Sequence, residues 1–254
     1  MKFDFSNKVA LVSGGSRGIG RSIADMFAEA GARVVVHYNS NQQAAEETRD
    51  GLAGSGHMIA AADLADAEAV EAMVQTVLAE MGQVDVLVNN AGIYDLHTIT
   101  DVSFAEWRQA WQRTLDTNLV GVANLSYLVA HDMIERGGGR IVNVSSRGAF
   151  RGEPNAPAYG ASKAGMNAMG QSLAQVLAPH NVFVHTVAPG FVETDMAAGI
   201  LAGPLGEGIR NQSPLQRVAK PEEVARTVLF LAAEGTEFLT GCIVDVNGAS
   251  YLRT

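Results

Sequence analysis

The chain carries a single cysteine, Cys242, in 254 residues. That excludes an internal disulfide and a cysteine-based zinc site. Aromatic residues are scarce at 6%, so the core has to come from aliphatic side chains. No block of lysine or arginine interrupts a net charge of -9, which argues against a nucleic-acid partner. No apolar run approaches the ~20 residues of a membrane span. The opening segment, Met-Lys-Phe-Asp-Phe-Ser-Asn-Lys, has no apolar signal region. A soluble cytoplasmic protein with no membrane contact is the expectation. The histidines lack metal-ligand spacing and no acidic cluster stands beside them, so no metal is expected.

What remains is ample material for a core. Hydrophobic residues make up 47% of the chain, and Ala, Gly and Val suit close packing of helices on a sheet. Short β-branched runs alternate with longer helical patterns. Val9–Ser13, Arg33–His37, His57–Ala61, Val84–Asn89, Arg140–Ser145, Val182–Ala188 and Ile243–Val246 read as strands. The runs before Ser146 are apolar on both faces, as buried parallel strands are. Between the first two lies a helix with Ile23, Met26, Phe27 and Ala30 on one side, ending at Gly31. This alternation implies an α/β fold: a doubly wound parallel sheet of about seven strands with helices on both faces. No linker, repeat or low-complexity segment divides residues 1–254, which read as one domain. The stretch Asp195–Lys220 breaks the rhythm, is rich in Gly and Pro, and is expected to be an irregular substrate loop.

Two motifs carry the chemistry. The first strand runs straight into Gly14-Gly-Ser-Arg-Gly18-Ile-Gly20, and a helix follows. Glycines there permit positive φ and close approach of a pyrophosphate, with the helix N-terminus offering amides and partial positive charge. Ser16, Arg17 and Ile19 share that turn. The spacing is Gly-x-x-x-Gly-x-Gly rather than Gly-x-Gly-x-x-Gly. The second strand ends without the Asp or Glu that would hold the ribose of NAD. Tyr38, Asn39 and Ser40 stand there instead, and Arg17 suits a 2′-phosphate. This favours NADP, with NAD the alternative; a solvated surface arginine is the plainer account of Arg17. Asp63, beside Leu64, either accepts from an adenine amino group or caps a helix. Asn90, Ala91 and Gly92 after the fourth strand, and Pro189, Gly190, Val192 and Thr194 after the sixth, complete a cofactor-binding set. All lie where ligands bind in open α/β sheets, at the carboxyl ends of strands.

The second motif is Tyr159-Gly-Ala-Ser-Lys163. Positions i and i+4 share a helix face. An ammonium beside a phenol favours the phenolate, so the Tyr159 pKa is expected to fall below its usual value of about 10. Ser146 lies upstream, placed to hold a substrate oxygen.

Together, Gly14/Gly18/Gly20, Asn89-Asn-Ala-Gly92, Asn118, Ser146, Tyr159-x-x-x-Lys163 and Pro189-Gly190 resemble the short-chain dehydrogenase/reductase family over essentially the whole length. Ser13 stands in place of the more usual threonine. The resemblance implies a Rossmann-type fold and a catalytic set of Asn118, Ser146, Tyr159 and Lys163. Tyr159 would be the acid–base, Ser146 would orient the carbonyl, and Lys163 would tune the phenol and bind the ribose. Asn118 would hold a water of a proton relay. Hydride would pass between NADP(H) and a carbonyl or alcohol in either direction. Residues Val187–Met196 and Thr240–Gly248 resemble 3-oxoacyl-acyl-carrier-protein reductases; sugar, polyol and other ketone enzymes share much of both. Where such reductases place arginines for carrier docking, this chain has Gly137 and His180. Family members are commonly homotetramers. Gly165, Met166, Met169, Leu173 and Leu177 would either supply an interface or face the sheet.

Substrate-side readings are more open. Glu153, between Ser146 and Tyr159, is taken as a substrate residue with Ser146 and Tyr159, suited to a polyol hydroxyl; an exposed loop carboxylate is the alternative. Tyr94 and His97 either line the pocket or sit in a solvated loop. Trp107 and Trp111, at i and i+4, either pack as one helical face or reshape the substrate mouth. A non-catalytic dinucleotide sensor is the competing functional class, and it has no need of an intact Asn–Ser–Tyr–Lys set.

Overall fold

The computed structural model describes residues 3–253. Among them the strands are β1 (Val9–Val12), β2 (Arg33–Tyr38), β3 (Met58–Ala61), β4 (Val86–Asn89), β5 (Gly139–Val144), β6 (Val182–Pro189) and β7 (Ile243–Val246). The helices are α1 (Gly18–Glu29), α2 (Gln42–Gly51), α3 (Ala67–Met81), α4 (Phe104–Leu115), α5 (Gly121–Arg136), α6 (Gly148–Arg151), α7 (Pro157–Leu177), α8 (Asp195–Ala202), α9 (Gly206–Arg210) and α10 (Pro221–Ala232). The strands form one parallel sheet in the order β3-β2-β1-β4-β5-β6-β7. Order reverses between β1 and β4, which opens a crevice above their carboxyl ends.

Period-two alternation sorts the strand residues onto two faces. Ala10, Val12, Val34, Val36, Val88 and Val144 pack under α1 and α10 with Ile23, Phe27, Val224 and Val228. Val9, Leu11, Val35, Leu87, Ile141 and Val184 pack under α3, α5 and α7 with Val74, Leu125, Met133 and Leu177. Burying each Val, Leu or Phe contributes about 1.5–3 kcal/mol. Ile23 and Phe27 of the expected α1 stripe are buried, while Met26 and Ala30 are half-buried at its edge. The helix stops at Gly31, whose φ is +91°. Other ends are equally local: Asp66 caps α3 by accepting from Glu68 N and Ala69 N, and Ser103 with Glu106 forms a capping box on α4. Arg33 is structural, donating to Met81 O at 2.9 Å.

Three expectations are corrected or decided here. Residues 195–220 are irregular only in part, with 211–220 in turns and bends. The first part folds into α8 and α9, with Ala197, Leu201, Ile209 and Val218 in a small cluster of their own. Gly199, Gly203, Gly206 and Gly208 weaken the helical signal in the sequence, and local burial overrides it. On α7, Met166, Leu173 and Leu177 turn inward, and a Cβ on Gly165 would lie 2.9 Å from Leu119, while Gly165 and Met169 stay half-buried. Trp107 and Trp111 pack as one helical face, ring centroids 5.7 Å apart, and neither borders the main cavity. No helix among the described residues is long and apolar enough to cross a membrane.

Candidate active site

A cavity of about 600 Å³ runs along the carboxyl ends of the strands, from the glycine turn past Tyr38, Asn39 and Ser40 to Tyr159. The turn is braced from three sides. Gly14 (φ +62°) and Gly18 (φ +54°) adopt left-handed backbone. Gly20 serves a different need: a Cβ there would lie 2.1 Å from Gly14 O. Ser13 Oγ accepts from Asn90 N and Ala91 N, both at 3.0 Å. The Asn90 amide then spends its hydrogens on Ser13 O (2.9 Å) and Gly14 O (3.1 Å). Asn90 therefore clamps the turn as well as bordering the cavity. Sequence reading missed His37. Its Nδ1 accepts from Gly14 N at 3.0 Å, and its Nε2 donates to Ala62 O at 3.1 Å. Burial holds its pKa down at about 4, so the ring stays neutral and keeps that acceptor.

Gly14, Ser16, Arg17, Gly18, Ile19, Gly20, Leu64, Ala91, Gly92, Pro189, Gly190, Val192 and Thr194 all border the cavity. Asp63 does not: it is exposed and accepts from Ala65 N at 3.0 Å, while Asp66 is the helix cap. The arrangement fits an extended dinucleotide. First-turn amides of α1 have no carbonyl behind them, and the left-handed glycines keep side chains clear of that end.

At the other end, α7 opens on Pro157, whose fixed φ suits a first helical turn. Its N-terminus is held by a residue the sequence left ambiguous. His97 is 1% exposed; its Nε2 accepts from Ala158 N (3.2 Å) and its Nδ1 donates to Asp95 O (2.8 Å). It is neither a pocket wall nor a solvated loop residue but a buried clamp. One turn separates Tyr159 and Lys163, as expected. Ser146 and Tyr159 both border the cavity, and the Ser146 hydroxyl accepts from Gly148 N at 3.0 Å.

Asn118 lies in a π-helical turn, Asp116–Val120, between α4 and α5. Such turns frequently mark functional sites. Its amide pairs with Ile93 in both directions, Oδ1 accepting from N (2.8 Å) and Nδ2 donating to O (2.9 Å). A Cβ on Gly92 would sit 3.3 Å from Asn118 Oδ1 and 3.5 Å from Lys163 Nζ. Glycine at 92 therefore lets the two side chains converge.

The expected fall in the Tyr159 pKa is overturned. Burial pushes it up to about 12; the Ser146 hydrogen bond works against this, while Glu153 and Tyr94 add to the rise. The lysine does not offset it, because Lys163 Nζ donates to Val144 O (2.8 Å) and lies 5.9 Å from the Tyr159 ring centroid. Lys163 is itself pushed down to about 8 by burial. A shared low-dielectric pocket disfavours both charged forms. Glu153 is not an exposed loop carboxylate. It borders the cavity, accepts from the Tyr94 hydroxyl (3.4 Å), and occupies space that a Cβ on Gly148 would fill. Burial raises its pKa. Tyr94 packs edge-on against Tyr159, centroids 4.9 Å apart. Sequence reading also missed Arg147 and Phe191 at this end of the cavity.

Residues 14–249 match a family model described as enoyl-(acyl carrier protein) reductase. The chain belongs to the short-chain dehydrogenase/reductase family. Relatives include the 3-oxoacyl-acyl-carrier-protein reductases FabG of Chlamydia muridarum, 39% identical over 95% of this chain and 96% of that one. The FabG of Staphylococcus aureus strain Mu50 is 38% identical over 96% and 98%. A solved short-chain dehydrogenase/reductase from Brucella melitensis, described as a glucose/ribitol dehydrogenase, superposes over 100% of both chains with a TM-score of 0.90 and 32% identity. As a short-chain dehydrogenase/reductase, the protein is an oxidoreductase with a nicotinamide dinucleotide cofactor.

Proposed function

We propose that this protein is an NADP(H)-dependent reductase that converts a ketone to a secondary alcohol, with 3-oxoacyl thioesters as the first substrate class. The observation that carries this is the placement of Ser146, Tyr159 and Lys163 in the same cavity as the braced glycine turn. Gly14, Gly18 and the first turn of α1 would hold the pyrophosphate. Arg17 is exposed and has no ion-pair partner among the described residues. With Tyr38, Asn39 and Ser40 and no acid at the end of β2, it supports NADP over NAD. The bound cofactor supplies the hydride. As negative charge grows on the carbonyl oxygen, Ser146 and Tyr159 donate to it. A phenol held at about 12 keeps its proton at neutral pH, which is the state a general acid needs for reduction. Lys163 and Asn118, converging across Gly92, border the path by which that proton would be replaced. FabG relatives support the thioester. Glu153 with Tyr94 supports a second reading, a hydroxylated ketone or polyol whose donor hydroxyl meets the carboxylate.

The test follows loss of reduced-nicotinamide absorbance with NADPH or NADH against acetoacetyl thioesters, ketoses and cyclic ketones. NADPH-dependent turnover that falls about 10²–10⁴-fold in Tyr159→Phe, with cofactor affinity kept, is the expected result. Unchanged turnover in that variant overturns the assignment of Tyr159. Cofactor binding without turnover of any ketone or alcohol favours a sensor.

A further inference from the structure

Arg147 follows Ser146 directly and is 3% exposed. Its amide donates to Pro189 O at 2.8 Å, pinning it to the end of β6. Its guanidinium donates through Nη1 to Ser250 Oγ (2.5 Å) and through Nη2 to Gln212 Oε1 (2.6 Å). It lies 5.2 Å from the centroid of the Phe191 ring. Every one of these partners is neutral. Among the described residues no carboxylate comes within ion-pair distance of it. A buried charge without a counter-ion is costly. Burial and the nearby Arg151 both oppose this one, with Glu153 a partial offset.

The surroundings show where a counter-ion would sit. Arg147 and Phe191 border both the main cavity and a second, smaller one of about 150 Å³. The acids of that second chamber are already paired. Glu223 takes both Nη atoms of Arg217 at 2.7 Å, and Asp245 takes Arg253 at 2.7 Å. On the main side, Glu153 is engaged by Tyr94 and by Arg151 at 3.9 Å. The chamber's far wall is built from strained backbone. Gly248 (φ +58°) and Ala249 (φ +57°) are consecutive left-handed residues, and Ser213 Oγ donates to Gly248 O at 2.6 Å. That turn delivers Ser250 to the guanidinium. A left-handed alanine is strained and persists where the surroundings over-determine it.

We propose that Arg147 is a specificity-determining residue that binds an anionic group of the substrate, a carboxylate or phosphate a few atoms from the ketone, in the chamber between Phe191 and Ser250. The guanidinium fork matches either anion, and an ion pair is stronger than the bonds it now makes to neutral acceptors. A plain 3-oxoacyl thioester would leave the charge unmatched, so the inference narrows the proposed substrate class to ketones that carry an acid. This deepens the ketone-reductase reading and rests on it.

The experiment compares kcat/KM for acetoacetate with that for methyl acetoacetate, and for 2-oxopropylphosphonate with that for its dimethyl ester, with NADPH in every case. The wild type is expected to favour at least one acid about tenfold or more, and the two pairs separate carboxylate from phosphate selection. Arg147→Lys is expected to keep part of the preference and Arg147→Met to erase it. In parallel, malonate and inorganic phosphate are titrated into the NADPH-bound protein by calorimetry. Heat in the wild type that is lost in Arg147→Met supports the site. Equal kcat/KM for acid and ester overturns the proposal, and so does anion binding unaltered in Arg147→Met. If that variant does not fold, the wild-type ratios and Arg147→Lys decide. Ester turnover abolished by Tyr159→Phe with no acid preference leaves the reductase standing and removes the anion site. Arg147-dependent malonate binding with no ketone reduced does the opposite.

Discussion

Gly20→Ala places a methyl group where the glycine turn has no room. Its Cβ would stand 2.1 Å from Gly14 O, 2.6 Å from Asn90 Nδ2 and 2.8 Å from Gly14 C. The carbonyl has to retreat by about 1 Å to restore ordinary contact. That movement breaks the Asn90 bond to Gly14 O and strains the Gly14 N–H bond to His37, which measure 3.1 and 3.0 Å. Two hydrogen bonds at about 1 kcal/mol each and an overpacking cost of about 1–3 kcal/mol sum to about 3–5 kcal/mol. At about 2–4 °C per kcal/mol for a chain of this size, Tm falls by roughly 10 °C. Affinity for NADPH falls with it, because the displaced carbonyl re-aims the turn. Calorimetric melting and a fluorescence titration of NADPH measure both. Gly199→Ala is the matched control: nothing lies within 4 Å of its Cβ, and within α8 the change should stabilise by about 0.5–1 kcal/mol. A Gly20→Ala protein that melts within about 2 °C of wild type and binds NADPH equally well refutes the account of the turn.

Buried His37 and His185 both have folded pKa values of about 4, lowered by burial. Below the unfolded value of about 6.5 the unfolded chain takes up protons that the folded one refuses. Stability therefore falls as pH drops from about 6.5 toward 4, by up to about 3 kcal/mol per site; urea midpoints that stay flat across that window would contradict this. Glu153→Gln removes a carboxylate that raises the Tyr159 pKa, so the alkaline limb of kcat for reduction should move to lower pH. A limb that stays put or moves up means Glu153 does not act on Tyr159. In the same variant, a hydroxylated ketone should lose kcat/KM relative to a plain one if the carboxylate holds a substrate hydroxyl; an unchanged ratio removes that role.

Legibility in the sequence followed the range of the interactions. β1, β2 and β4 carry continuous apolar runs at Val9–Val12, Val34–Val36 and Val86–Val88, and a run buried on both faces announces itself without help from its neighbours. The glycine turn and the Tyr159–Lys163 pair are local spacings on one strand–turn–helix and on one helix. What failed was long-range. His97 meets Ala158 across 61 residues of chain, so nothing near it in sequence distinguishes a clamp from a loop. Arg147 is buried by residues 212 and 250, against the ordinary expectation that an arginine is exposed. The Tyr159 pKa went the other way because i,i+4 spacing brings Lys163 near the ring but does not say where its ammonium points. Residues 195–210 carry glycines that argue against helix, and a small apolar cluster decides otherwise.

The π-helical turn at Asp116–Val120 does more than aim Asn118. It stores one surplus residue in what would otherwise be a single rod from Phe104 to Arg136. The two halves of that rod therefore keep separate phases. Trp107 and Trp111 pack on one another and on His97 while Leu125, Val129 and Met133 stay seated on the sheet. Removing any one residue from the turn would let the helix run straight and would swing one half about 100° around its axis. A rod that could have been regular thus has a seam, and it lies between the half that carries the tryptophans and the half that faces the core.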